Sequence, residues 1–301
     1  MFYKLIISDR SSSAGLLPTG RKKGTNIILY GNDGVHRTVT LMVGGMPAAV
    51  AKYLATNNMQ EVTSEQHAIL RLYKRDIAKY DPEHKLYLDE IFELIPSELN
   101  AKNKRFILKD LNENMKFSRF ENSFLWLKNA GVALPTYNVE EPRHPLLLSK
   151  QRNLFKLFQS DVGLLACQYA NGIGLQILKG DSAINFGSIY ENVVAQELHA
   201  HGFPLYYFNS KRQGELDFVV ETGTGILPIE VKSGKDYTRH NALSNILATS
   251  EYEIRQAAVF CNDNVSCRKS ITYYPVYMIM FLQRDTTASL IYPFDMTGLT
   301  D

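Results

Sequence analysis

Glu230 and Lys232 stand two apart in Ile226-Leu227-Pro228-Ile229-Glu230-Val231-Lys232, a run that is otherwise apolar. Alternate side chains of a β-strand share a face, so the carboxylate and the ammonium point one way while Ile229 and Val231 pack the other. The run before it, Leu216-Asp217-Phe218-Val219-Val220-Glu221, is joined to it by Thr222-Gly223-Thr224-Gly225, whose glycines suit a hairpin turn. Asp217, Val219 and Glu221 then share one face and Leu216, Phe218 and Val220 the other, so a hairpin can set Asp217 beside Glu230 and Lys232. Neighbouring carboxylates repel each other unless a cation lies between them. Two or so carboxylates suit Mg²⁺, or Mn²⁺ in its place, because that ion keeps several waters and completes its shell with substrate phosphate. A lysine alongside can position or deprotonate an attacking water and offset charge on a phosphoryl group. The chemistry expected is metal-dependent phosphodiester hydrolysis.

A third carboxylate comes from a helix. Glu191 follows Gly187-Ser188-Ile189-Tyr190, one turn past a glycine that lets the helix approach a sheet. Glu197, six residues on, faces elsewhere, to solvent or a salt bridge. Taken singly these residues are ordinary, since cross-strand ion pairs are common on sheet surfaces. Taken in order, a helix Glu, an Asp on the first strand of a hairpin and Glu-x-Lys on the second define one expected site. Glu191, Asp217, Glu230 and Lys232 are its catalytic residues, and Glu191, Asp217 and Glu230 its metal ligands.

The elements that must position this set follow from periodicity. Ala48–Tyr53, Ser64–Lys79, Lys85–Leu94 and Lys116–Asn129 carry apolar residues three and four apart, as helices do. Pro47, Pro82 and Pro96 fall where helices would start or stop. In the last helix Phe117, Phe120, Phe124 and Leu127 form one stripe, with Arg119, Asn122, Ser123 and Trp126 opposite. A strand at Val132–Val139 and a Pro-rich return follow, the order of a winged helix-turn-helix. Residues 42–150 therefore read as a helical, winged-helix-like region. Beyond it come helices at Phe155–Ala166 and Gly187–His201 and strands at Leu205–Asn209, Leu216–Glu221 and Ile226–Lys232. A helix over 239–249, a strand at Ala257–Cys261 and a strand with a closing helix at Ile271–Leu282 complete an α/β domain over 151–301. The chain as a whole is α+β.

Several stretches resemble AAA-type ATPases whose C-terminal part is the domain of unknown function 4143, a PD-(D/E)xK nuclease-like domain. They are Val43-Gly44-Gly45-Met46-Pro47, Lys74-Arg75-Asp76-Ile77-Ala78-Lys79-Tyr80, Phe155-Lys156-Leu157, Ser160-Asp161-Val162-Gly163-Leu164-Leu165 and Tyr190-Glu191-Asn192. Glu215-Leu216-Asp217-Phe218-Val219, Pro228-Ile229-Glu230-Val231-Lys232-Ser233-Gly234 and Tyr274-Pro275-Val276-Tyr277-Met278 continue the series. The resemblance implies a nuclease-like C-terminal domain behind helical segments and adds no settled activity. Relatives place a P-loop ATPase domain before the Val-Gly-Gly-Met-Pro stretch, where this chain has an unmatched segment, residues 1–41. Gly15–Lys22 echoes a phosphate-binding loop, but Arg21 and Lys22 stand where Lys and a hydroxyl are needed. No ATP is expected to bind.

Composition sets the outer limits. A chain of 301 residues with 45% hydrophobic and 21% charged residues can bury a real core. Cys167, Cys261 and Cys267 lack the spacing of a disulfide framework or a zinc site, which fits a reduced compartment. No apolar run reaches membrane-spanning length and the start lacks a signal-peptide layout, so a cytoplasmic location and no membrane partner are expected. A net charge of +2 leaves nucleic-acid binding to local patches. Between Lys102 and Lys128 basic residues exceed acidic ones, so Lys116, Arg119, Asn122 and Ser123 are candidate DNA contacts, as are Lys235 and Arg239 beside Lys232. The competing reading is a solvated helix face, and a catalytically silent module that docks on nucleic acid, another protein or an ATPase subunit stands as the alternative function.

Overall fold

The computed structural model describes residues 39, 41–80, 85–101, 104–107, 117–169 and 187–284. The expected N-terminal segment, apart from residues 39 and 41, lies outside them. The architecture is mixed α+β, with a helical N-terminal half and a C-terminal half built on sheets. No described helix is long and apolar enough to cross a membrane.

The N-terminal half holds α1 (Pro47–Thr56), α2 (Met59–Tyr80), α3 (Lys85–Asn100) and α4 (Phe117–Asn129). Pro47 opens α1, where its missing N–H costs no helical bond. Pro96 does not stop a helix as expected: α3 runs through it to Asn100. Leu88, Ile91, Phe92, Ile95 and Leu99 are all buried, and that continuous apolar stripe holds the helix together across the lost hydrogen bond.

A four-stranded sheet runs in the order β2-β1-β3-β4, with β1 at Ala133–Val139, β2 at Lys150–Gln159, β3 at Tyr206–Ser210 and β4 at Gly214–Leu216. β1 pairs antiparallel with β2 and parallel with β3. The strands after α4 are thus not a free wing. All of β1 except Tyr137 is buried, which requires cover on both faces and neighbours on both edges. The expected division at residue 150 falls at the first residue of β2, inside this sheet. The helix expected at Phe155–Ala166 also resolves differently. Phe155–Gln159 is strand, and only Val162–Gln168 is helix, α5, capped by Asp161.

A five-stranded sheet has the order β5-β6-β7-β9-β8, from β5 (Phe218–Thr222), β6 (Gly225–Val231), β7 (Ala257–Cys261), β8 (Ser266–Arg268) and β9 (Ile271–Pro275). On one of its faces Phe218, Val220, Ile229, Val231 and Phe260 join the larger core together with α6 (Gly187–Ala200). On the other, Val219, Val259 and Tyr273 join a smaller core with Leu243 and Ile246 of α7 (Asn241–Ala248). The strand expected over Leu216–Glu221 is broken at Asp217, where the chain bends from one sheet into the other. Leu216 and Val219 consequently fall in the same core, against simple alternation.

One close contact ties the helical half to the rest. Asp161 Oδ2 accepts from Gly45 N–H at 2.6 Å and Oδ1 from Leu164 N–H at 3.0 Å. Gln66 Nε2 donates to the carbonyls of Met42 and Val43 at 2.7 and 3.1 Å. The approach leaves no room for side chains: a Cβ on Gly44 would lie 2.3 Å from Asp161 Oδ1, and one on Gly163 would lie 2.6 Å from Val43 O. Gly163→Ala therefore destabilises toward the upper end of the about 1–3 kcal/mol usual for overpacking, and Gly163→Ser does not recover it. Gly131 has φ +67°, and among the described residues nothing lies within 4 Å of an added Cβ. Gly131→Ala costs only the left-handed backbone term, about 1–2 kcal/mol, and Gly131→Asn costs less. Urea unfolding of the four variants checks the contrast.

Burial pushes the Asp161 carboxyl up to about 6, against the pull of the Gly45, Leu164 and Gly163 amides. The folded protein then holds this proton more tightly than the unfolded chain. Its contribution is most favourable near pH 4, declines as pH rises through about 6, and stays at its minimum above that. Denaturation measured between pH 4 and 7 should show this component of the slope in the wild type and its loss in Asp161→Asn.

Candidate functional site

Asp217 sits at the bend between β4 and β5, and the bend explains its first contact. β5 and β6 pair from Phe218↔Ile229 outward to the turn. Past Phe218 the chain has left this sheet, so Val231 N–H has no strand partner there and donates instead to Asp217 Oδ2 at 2.7 Å. The next amide, Lys232 N–H, bonds Phe260 O of β7 at 2.8 Å. Asp217 thus closes the end of the β5–β6 ladder with its side chain.

Glu230 and Lys232 point away from Ile229 and Val231 as alternation requires, and Lys232 Nζ lies 2.6 Å from Glu230 Oε1. Glu230 is 6% exposed. Burial first, then the Asp217 carboxylate, push it up to about 8, while Lys232 pulls it back. Lys232 remains partly exposed. Its ammonium is held above the usual lysine range by Glu230 and Asp217, which outweigh its desolvation.

Glu191 is buried in α6 at 2% exposure. Lys104 donates to its Oε1, and Lys156 Nζ lies 3.9 Å from Oε2. After burial, the Asp217 carboxylate is the largest influence raising Glu191, opposed by Lys156 and Lys104. Asp217 is therefore the charge that joins two groups: Glu230 with Lys232 on one side, and Glu191 with Lys104 and Lys156 on the other. The four expected residues do form one electrostatic cluster. Among the described residues, however, no group of three or more His, Cys, Asp or Glu is close enough to hold one metal ion.

Lys156 is the residue that the sequence reading missed. It is fully buried on β2, its Nζ 2.6 Å from Glu215 Oε1 of β4 and 5.0 Å from the centre of the Tyr207 ring. Desolvation works to lower its pKa, but Glu191, Glu215 and Asp217 together raise it above the ordinary lysine value. A signal was present, because Lys156 is the single charge in Leu154-Phe155-Lys156-Leu157-Phe158. An ammonium inside an apolar strand needs carboxylates to meet it. Lys104 and Glu215 carried no comparable mark.

Of the proposed nucleic-acid contacts, Asn122 is exposed on α4 and Lys235 and Arg239 are exposed after β6. Lys116 and the Arg119 side chain lie outside the described residues. Ser123 is a correction: at 1% exposure it is inside, one position from Phe124 and one helical turn before Leu127 on the buried face of α4, and cannot reach a base edge in this fold. Trp126 is half-buried against the larger core, as a packing residue would be.

Residues 38–175 match the family described as Domain of unknown function (DUF8612), and residues 186–279 match Domain of unknown function (DUF4143). The second match spans α6 through β9 and contains Glu191, Asp217, Glu230 and Lys232. The first contains Lys104 and Lys156, so the cluster draws on both matched regions. No curated protein and no solved structure matches the chain.

Removing a buried partner from an ion pair costs about 3–5 kcal/mol. Lys156→Met is expected in that range, because it leaves buried Glu191 with Lys104 alone and partly exposed Glu215 without its cation. Lys232→Met should cost clearly less, because Glu230 can take up a proton when its partner is lost. Paired urea denaturation curves at neutral pH test the order.

Proposed function

We propose that the C-terminal half is a metal-dependent phosphodiesterase of the nuclease-like type, acting on DNA through Asp217, Glu230 and Lys232, with Glu191 behind them. The observation that carries this reading is the meeting of an Asp from a sheet corner, a Glu-x-Lys strand and a helix Glu around one shared field. Whether the residues suit a metal can be judged from their unmet oxygens. Among the described residues, none donates a hydrogen bond to the buried carboxylate oxygens Glu230 Oε2 and Glu191 Oε2. Asp217 and Glu230 are adjacent acids whose repulsion a divalent ion would relieve, and two carboxylates are a sufficient protein contribution for Mg²⁺. Asp217 and Glu230 fit such an ion, and Glu191 is held back from it by Lys104 and Lys156.

A bound Mg²⁺ or Mn²⁺ would supply Lewis-acid polarisation of a phosphoryl oxygen. The protein's own part is positional. Asp217, fixed by Val231 N–H, keeps one oxygen directed by the strand end. Lys232 holds Glu230 in place and offers an ammonium that reaches solvent, able to contact a phosphate oxygen or orient an attacking water. Lys235 and Arg239, exposed just beyond, extend positive charge along the path of a phosphate backbone.

A second reading has its own support. Every member of the cluster has a structural duty: Asp217 ends a ladder, Glu191 pairs with Lys104 and lies near Lys156, and Glu230 pairs with Lys232. A catalytically silent module docking on nucleic acid or on another protein, derived from an AAA-type ATPase, would use the same contacts.

Cleavage of single- and double-stranded DNA with Mn²⁺ separates the two. Turnover is expected in the wild type and a fall of about 10²–10³-fold in Lys232→Met and Glu230→Gln, the scale of losing one transition-state contact. Melting curves verify that the variants fold, and calorimetric Mn²⁺ titration should show binding lost in Glu230→Gln. Wild-type protein that neither cleaves DNA nor binds Mn²⁺ overturns the hydrolytic reading.

A further inference from the structure

We propose that a small basic pocket between α4 and β2 is a binding site for a phosphate dianion, either free or at the end of a nucleic-acid strand. The pocket has a volume of about 250 Å³, and Lys128, Lys150, Arg152, Glu121, Tyr137 and Phe155 are among its lining residues. It is built by an irregularity in the sheet. Tyr137 pairs with Phe155 while the next residue, Asn138, pairs with Gln151, so residues 152–154 of β2 are looped out of the ladder. β2 is an edge strand, and a bulge at an edge re-aims side chains out of the sheet. Here it brings Arg152 to the pocket beside Lys150, while Lys128 comes from the last turn of α4.

Three cations gather there against one carboxylate, an excess of +2 among the named lining residues. Among the described residues none of the three forms an ion pair. Crowding is evident at Lys150, whose ammonium lies 3.6 Å from the centre of the Tyr137 ring. Its pKa is lowered by burial and then by the charges of Lys128 and Arg152. Surface lysines normally spread apart. Two lysines and an arginine that converge on a cavity beside Tyr137 and Phe155, with Glu121 the one carboxylate among its lining residues, leave an anion as the missing partner.

Charge and size choose the anion. A phosphomonoester or inorganic phosphate carries about −1.5 to −2 at neutral pH with three strong acceptor oxygens, matching the pocket's excess, whereas a bridging phosphodiester carries a single charge. A planar guanidinium can bind such a group through two parallel hydrogen bonds. The cavity lies at or below the small end of ordinary ligand sites, room enough for a phosphate and its ester oxygen. The site is separate from Asp217 and Glu230 and needs no turnover there.

The test is fluorescence anisotropy in EDTA, with a labelled ten-nucleotide single strand carrying a 5′-phosphate or a 5′-hydroxyl, and inorganic phosphate as competitor. Working without divalent metal separates this outcome from that of the phosphodiesterase reading. Tighter binding of the 5′-phosphate strand by at least about tenfold, the worth of one charge-assisted contact, assigns the site to strand ends. Displacement of both strands by millimolar phosphate without such a preference assigns it to free phosphate. In either case the effect should vanish in Arg152→Ala and Lys150→Ala and persist in Lys211→Ala, an exposed control at the turn between β3 and β4. The proposal is overturned if phosphate neither competes nor improves strand binding. It is equally overturned if the effect survives Arg152→Ala and Lys150→Ala in folded protein.

Discussion

Asp217 answers two demands at once, and the C-terminal half is arranged around that fact. The chain leaves the four-stranded sheet at Leu216 and enters the five-stranded one at Phe218, and a bend of this kind strands a backbone amide on the neighbouring strand. Val231 N–H is that amide, and the Asp217 carboxylate takes it. An acceptor is needed in the corner for structural reasons, and here it is a carboxylate. Once there, it becomes the charge that both Glu191 and Glu230 feel most strongly after their own burial. A feature of topology therefore creates the electrostatic centre of the candidate site.

The lysines around it divide by depth. Lys156 has no solvent to retreat into, so its ammonium binds Glu215 and approaches Glu191 as a permanent part of the interior. Buried charges of this kind contribute little net stability but make the loss of one partner costly. Lys232 is different, because its side chain reaches water and its partner Glu230 can exist as the neutral acid. A group that can change partners is the one suited to meet a ligand, whereas a group locked on all sides preserves a shape. Position in the core thus separates the two roles more clearly than residue type does.

The helical half is held to the sheets through places where side chains are absent. Gly44 and Gly163 let two backbones meet around Asp161, and Gln66 and Gln196 supply the remaining hydrogen bonds from α2 and α6. Asp161 and Gly163 belong to one stretch and Gly44 and Gly45 to another, more than a hundred residues away in the chain. Both fall within residues 38–175, the region of the first family match, and the strand pair β1–β2 from the same region supplies half of the four-stranded sheet. Lys156 on β2 then carries this helical region into the cluster itself.

Much of this was legible in the residues alone. Periodicities of about four and of two located the helices and most strands, because burying one face of an element leaves a repeat in the sequence. The hairpin glycines and the alternation of Ile229, Glu230, Val231 and Lys232 placed three of the four candidate residues near one another, since those contacts are local. What the sequence could not determine was every feature set by a distant neighbour. The burial of Phe155–Gln159 on both faces looked like helical spacing until β1 and α6 covered it. Ser123 looked polar and exposed until the core closed over it. Lys104, Lys156 and Glu215 entered the cluster from three separate segments. Only the tertiary structure decided these, because a charge or a strand acquires its partner from packing in space, and one-dimensional spacing records no such partner.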